Sequence, residues 1–260
     1  MWGRVSTGMT AVNKPPVASR REWLTAVDTL RAREKAHTRE GDAIAAARRR
    51  LPMTEVDPST PLVGGNGEVP LIDVFDGRTQ LFVSYHMWHD GRPAADQCEG
   101  CTFFTGQVRE LSYLHQRDVT FAVFCQGPFD ESERYRRFMG WDMPWYSVPA
   151  ESREPLLAGR HFGMKASYLR DGERVYETYW TTGRGVEPMA PSYGILDMTV
   201  HGRQETWEDS PPGWPQPYET LGQQFCKDGR PTAQWARITA GHDDDLHSGQ
   251  PITDGSGCCS

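Results

Sequence analysis

Basic charge is scarce in this sequence: Lys and Arg number 28 against 35 Asp and Glu, the formal net charge is −7, and the longest basic cluster is the triplet Arg48-Arg49-Arg50. Phosphate binding needs concentrated positive charge, so nucleic acid is not an expected partner. Long apolar runs are also missing. No stretch approaches the roughly 20 residues of a membrane helix, and the opening MWGRVSTGMTAVNKPP has no apolar core of a secretory signal. No membrane partner is expected, and the expected compartment is the cytoplasm. The patterns GxxxxGK[ST], GxSxG and HExxH do not occur, which removes phosphate-loop, serine-hydrolase and zincin chemistry. Cysteine is sparse as well. The six are Cys98, Cys101, Cys125, Cys226 and the terminal pair Cys258-Cys259, too few and too unevenly spaced for a secreted disulfide framework. In a reducing compartment a CxxC pair therefore means redox chemistry or a metal.

What is present suits one core with extensions. Apolar residues make up 37% and charged residues 24% of 260, with nine Trp, nine Tyr and ten Phe as bulky core material. Residues 1–18 carry no periodicity and are expected to be a disordered tail. Ser19 followed by Glu22 reads as a capping box, and Trp23, Val27, Leu30, Ala36, Ala43, Ile44 and Ala47 keep a helical period. The prediction is a long helical arm over 19–52, with a break near Gly41, that packs on the domain or pairs two copies into a homodimer.

A domain over 53–182 follows. Gly64-Gly65-Asn66-Gly67 predicts a hairpin turn, Leu71 to Phe75 a helical turn, and Gln80 to Tyr85 a buried strand. Cys98-Glu99-Gly100-Cys101 then opens a helix whose face carries Phe104, Val108, Leu111 and Leu114. VTFAVFC is a second buried strand, so strand, CxxC helix and strand form a βαβ unit. Asp130 to Gly140 reads as a helix, MPWYSV as an extended piece, and ASYLRDGERVYETYW as a hairpin turning at Asp171-Gly172. Residues 183–240 are rich in Pro and Trp and are expected to form a loop-rich extension packed on the domain. Residues 241–260 read as a second disordered tail.

This order of elements is that of a thioredoxin-like α/β fold of the peroxiredoxin type, a central mixed sheet flanked by helices. Seven segments, SRREWLTA, RRRLP, VFDGR, CEGC, RDVTFAVFCQGP, FMGWDMPWYS and YETYWTTGRGVE, together resemble the bacterial DUF899 family between about Ser19 and Pro217. That family is described as thioredoxin-like dithiol-disulfide oxidoreductases. The resemblance implies the fold and a dithiol site at Cys98 and Cys101.

A cysteine at a helix N-terminus meets unpaired backbone N–H groups and the positive end of the helix dipole, which favour the thiolate nucleophile. Cys98 is accordingly the expected nucleophile and Cys101, one turn on, the resolving thiol, acting on a disulfide, a peroxide or another small electrophile with no cofactor required. Two features work against simple exchange. Glu99 places like charge beside the first sulfur. The strand that carries the cis-proline in thioredoxins reads Met164-Lys165-Ala166-Ser167 here, which opens space beside the sulfurs.

A second reading fills that space with copper or zinc. His86 and His89 precede the cysteines, and two thiolates with one or two imidazoles make a trigonal or tetrahedral set. Thioredoxin-like copper proteins of the Sco type add a downstream histidine, for which His161 is the candidate. Such a metalloenzyme would act on an aromatic or sulfur-containing small molecule. Trp88, Trp141, Trp145 and Tyr146 crowd the same edge, as an aromatic substrate pocket or as core. Cys125 reads as a buried thiol.

Overall fold

The computed structural model describes residues 14–219, 225–227 and 230–241. Most of the two predicted tails, with Cys258 and Cys259, lies outside the described residues. Helix α1 (Arg20–Arg48) carries the predicted capping box: the Glu22 N–H donates to Ser19 Oγ at 3.3 Å, and the Ser19 N–H donates to Glu22 Oε2 at 3.0 Å. It runs through Gly41 without a break, because a single glycine costs only about 1 kcal/mol in a helix interior. None of its residues is buried, and Trp23, Leu24, Leu30 and Ile44 are exposed.

Eight strands form one sheet: β1 (Thr54–Val56), β2 (Pro61–Gly64), β3 (Gly67–Pro70), β4 (Gln80–His86), β5 (Val119–Cys125), β6 (Trp145–Ser147), β7 (Lys165–Asp171) and β8 (Arg174–Thr181). Their order is β1-β8-β7-β4-β5-β6-β2-β3. Strands β4, β5 and β6 are parallel neighbours, while β7 and β8 continue antiparallel from β4. The expected thioredoxin-like arrangement is therefore present, with the βαβ unit at its centre and the β2–β3 hairpin at one edge.

Both central strands are buried on two faces, and their side chains alternate with period two. On one face Leu81, Val83 and Tyr85 of β4 join Ala122 and Phe124 of β5; on the other, Phe121, Val123 and Cys125 pack with Tyr135, Trp141 and Trp145. The helices are α2 (Glu99–Gly106), α3 (Ser112–His115), α4 (Phe129–Met139), α5 (Ala150–Leu157) and α6 (Pro191–Asp197). A two-stranded ribbon, β9 (Cys226–Lys227) and β10 (Arg230–Pro231), precedes α7 (Thr232–Thr239).

Three expectations change. The CxxC helix ends at Gly106 and resumes only as the short α3, so Phe104 leaves the face that Val108, Leu111 and Leu114 share against the second core cluster. Strand β1 and helix α5 had no sequence signal. The proline-rich extension is not all loop: it supplies α6 and α7, and α7 lies on α2. Among the described residues no helix is long and apolar enough to cross a membrane.

Candidate functional site

Alternation along β4 puts Ser84 and His86 on the face where α2 lies, both fully buried. Antiparallel pairing sets Lys165 of β7 directly opposite Ser84. Residues facing each other across such a pair project to the same side, and Lys165 Nζ donates to Ser84 Oγ at 2.8 Å. Thr105 of α2 closes a buried polar row, with its Oγ1 3.4 Å from both Ser84 Oγ and His86 Nδ1.

The loop between β4 and α2 is held by two side chains. Gln97, 1% exposed, accepts from the His89 N–H at 3.0 Å and donates to the carbonyls of His89 and Arg92, each at 2.9 Å. Glu131 Oε2 accepts from Trp88 Nε1 at 3.1 Å and from the Gly91 N–H at 3.0 Å. Trp88 in turn covers Gly127, where an added Cβ would stand 1.9 Å from Trp88 Cδ1.

This loop delivers Cys98 as the N-cap of α2, its sulfur accepting the Cys101 N–H at 3.4 Å. The Cys101 sulfur accepts the Met87 N–H at the same distance. Backbone donors aimed at sulfur favour its anionic form. Cys98, Cys101 and Cys125 are all present as thiols, and the first two are only 4% and 5% exposed. Both sulfurs open on a cleft of about 190 Å³ whose other walls are Met87, Gly100, Phe104, Gly163, Lys165, Gly183 and Val186.

The two departures from thioredoxin have structural outcomes. Lys165 occupies the ground where proline is absent, so the space beside the sulfurs holds an amine. Burial pulls this amine below the usual lysine range, and the negative charge of Cys101 and Cys98 pulls it back up. Glu99 turns away from the sulfurs and accepts the Ala233 N–H at 3.2 Å in the first turn of α7, where the helix dipole favours a carboxylate. Glu99 also borders a separate cavity of about 610 Å³ on the far side of α2, together with Phe103, Trp141 and Tyr193.

The proposed copper or zinc set is not assembled. Among the described residues no three His, Cys, Asp or Glu side chains are grouped to hold a metal ion. His161 is exposed ahead of β7, and His89 is exposed in the loop. His86 faces Tyr135, Trp141 and Trp145, with ring centroids at 6.2, 6.1 and 5.3 Å, and its Nε2 has no hydrogen-bond partner. Of the four aromatics weighed as a substrate pocket, Trp88 and Trp145 are packed in the second core cluster and Tyr146 lies against the first. Trp141 belongs to the second cluster and also lines the larger cavity. Cys125 is fully buried, and burial pushes its thiol up to about 12. Cys226 lies in β9.

His86 carries a pH prediction. Burial first, then the charges of Lys165 and His89, pull its imidazole down to about 3. Between that value and the ordinary 6.5 the unfolded chain binds a proton that the folded chain refuses, so stability falls as pH falls through this window. The expected contribution is about 1.4 kcal/mol per pH unit. Denaturant unfolding of the wild type and a His86→Leu variant at pH 6.5 and 4.5 checks it, and equal pH slopes would refute it.

The residues missed in the sequence are Ser84, Gln97, Thr105, Glu131 and Lys165. One signal was legible: polar Ser84 and His86 interrupt an otherwise apolar strand at positions of the same parity.

Comparison with solved structures finds partial likenesses. A protein assigned as the thiol:disulfide interchange protein DsbE of Chlorobium tepidum is 14% identical, with a TM-score of 0.37 over 54% of this chain and 95% of that one. A cysteine-to-serine mutant of peroxiredoxin 6 from Arenicola marina is 12% identical, with a TM-score of 0.35 over 56% and 74%. A mutant of tryparedoxin-I is 20% identical, with a TM-score of 0.30 over 58% and 94%. No curated protein matches the chain. The sequence pattern of DUF899, described as a bacterial protein of unknown function, matches residues 12–221, and the chain belongs to that family.

Proposed function

We propose that the protein is a thiol oxidoreductase in which Cys98 attacks a small disulfide and Cys101 resolves the mixed disulfide. One observation carries this reading: two thiols share the first turn of the helix after the central strand, and the first sulfur caps that helix. The thiolate is the attacking species in exchange, and a helix N-terminus favours it. The cleft supports a small substrate. At about 190 Å³, and walled by Met87, Phe104 and Val186, it is smaller than the roughly 300–1,000 Å³ of ordinary ligand pockets. With both sulfurs nearly covered, a low-molecular-weight, weakly polar disulfide suits it better than the disulfide of a folded protein. The cycle needs no bound cofactor. Electrons come from an external dithiol, which agrees with a reducing compartment such as the cytoplasm.

The test is to expose the reduced protein to bis(2-hydroxyethyl) disulfide and map its cysteines. The expected product is a Cys98–Cys101 disulfide, with Cys125 still a thiol. Retention of both as thiols, or pairing of Cys98 with any other cysteine, would overturn the reading.

A further inference from the structure

We infer that Lys165 is the charge partner and proton carrier of the Cys98–Cys101 pair, an inference that rests on the dithiol reading above. Lys165 is 1% exposed, and its Nζ donates to a neutral partner, the Ser84 hydroxyl, at 2.8 Å. A buried ammonium is costly unless an opposite charge stands near it. No Asp or Glu forms an ion pair with Lys165 among the described residues. Cys101 and Cys98 from α2 and His86 from β4 interact with it electrostatically. Other titratable groups near the sulfurs, among the described residues, include Glu99 on α2, Tyr135 on α4 and Cys125 on β5. Tyr135 and Cys125 are held neutral by burial, and the Glu99 carboxyl is bound at α7. Among the described residues that line the cleft, Lys165 is the one cation. An amine there is placed to be charged while a sulfur is charged and neutral once the sulfurs have bonded.

The steps balance on that basis. The Cys98 thiolate attacks one sulfur of the substrate disulfide; a Cys98–substrate S–S bond forms and the substrate S–S bond breaks. The departing thiolate leaves with the bonding pair and takes a proton from the Lys165 ammonium. The Lys165 amine then removes the Cys101 proton, and the Cys101 thiolate attacks the Cys98 sulfur. The second substrate thiolate leaves with that same proton, returned through Lys165. The protein dithiol has lost two electrons, the substrate has become two thiols, and Lys165 ends as a neutral amine facing a neutral disulfide. An external dithiol such as dithiothreitol reduces the protein and restores the starting charges.

The test separates charge from proton transfer. Iodoacetamide reports thiolate at Cys98, so its rate is measured from pH 5 to 10 in the wild type, Lys165→Met and Lys165→Arg. The wild type is expected to inflect below the ordinary cysteine value of about 8.5, and Lys165→Met at least one unit higher, a tenfold loss of rate at neutral pH. Lys165→Arg keeps the charge and should restore the wild-type profile. Arginine does not give up its proton, so this variant should release the first 4-thiopyridone from 4,4′-dithiodipyridine, the step before Cys101 needs a base, at the wild-type rate. It should lose at least tenfold with bis(2-hydroxyethyl) disulfide, whose alkanethiolate needs a proton. Because Lys165→Met removes a buried charge without adding volume, it should fold. Superimposable profiles for wild type and Lys165→Met, or a wild-type inflection at the ordinary value, would overturn the role of Lys165. If the Cys98–Cys101 disulfide still forms in that case, the dithiol reading stands alone; if it does not form in the wild type, the dithiol reading fails first.

Discussion

Replacing Cys98 by serine is expected to return the reduction of bis(2-hydroxyethyl) disulfide, with dithiothreitol as electron donor, to its uncatalysed rate. Serine holds the helix cap as well as cysteine does, since its oxygen accepts the same N–H, so the fold should persist while the nucleophile is lost. Cys101→Ser should behave differently. It keeps the attacking sulfur and lacks the resolving one, so the protein should stop after one attack. Mass spectrometry should then find one mercaptoethanol-sized adduct on Cys98, removable by dithiothreitol. Reversed outcomes would exchange the roles of the two sulfurs, and wild-type turnover in both variants would end the dithiol proposal. The position of Cys98 as the helix cap supports the stated order. Cys98 stands at the helix entrance, whereas the Cys101 sulfur is tied to the Met87 N–H one turn further in.

Phe124→Ala is expected to produce the largest loss of stability among single core truncations, about 3–5 kcal/mol. The ring is fully buried near the C-terminal end of β5. It meets Tyr85 edge-on at 5.4 Å and Tyr146 at 6.2 Å, which links the central strands to β6. Removing it leaves a void between two tyrosines that cannot both close in. Tyr85 is fixed by its hydroxyl, 2.6 Å from that of Tyr168, and Tyr146 packs over Gly64. The thermal midpoint should fall by on the order of 10 °C, since roughly 2–4 °C accompanies each kcal/mol in a domain of this size. Calorimetry would check it, and a drop below a few degrees would mean that the cluster repacks. The variant should leave the iodoacetamide rate of Cys98 unchanged wherever it remains folded, because Phe124 lies on the sheet face away from α2.

Much of the fold was legible because its central elements are local and strongly patterned. The capping box at Ser19 and Glu22, the Gly-rich hairpin turn at 64–67 and the two apolar runs around the CxxC are each set by neighbours within a few residues. Other features depend on partners far along the chain. The eight-residue helices α5 and α7 follow Pro149 and Pro231, and a proline before so short a segment reads equally as a loop. Strand β1 has three residues and exists because β8 lies beside it.

The candidate site divides in the same way. The sequence by itself determined that two cysteines open a helix after a buried strand, because strand period, helix period and CxxC spacing are short-range properties. It also carried a signal left unread, the polar Ser84 and His86 interrupting one face of an apolar strand. Only the tertiary structure decided what stands beside the sulfurs. Strand register, set by pairing across 81 positions, brings Lys165 to Ser84, so an amine fills the gap left by proline. Packing of α7 draws Glu99 away from Cys98 across 134 positions. His86 is aimed into three aromatic rings, apart from His89 and His161, and that too follows from which helices cover the sheet. Spacing proposes which residues can meet; long-range register and packing, which no local pattern encodes, select those that do.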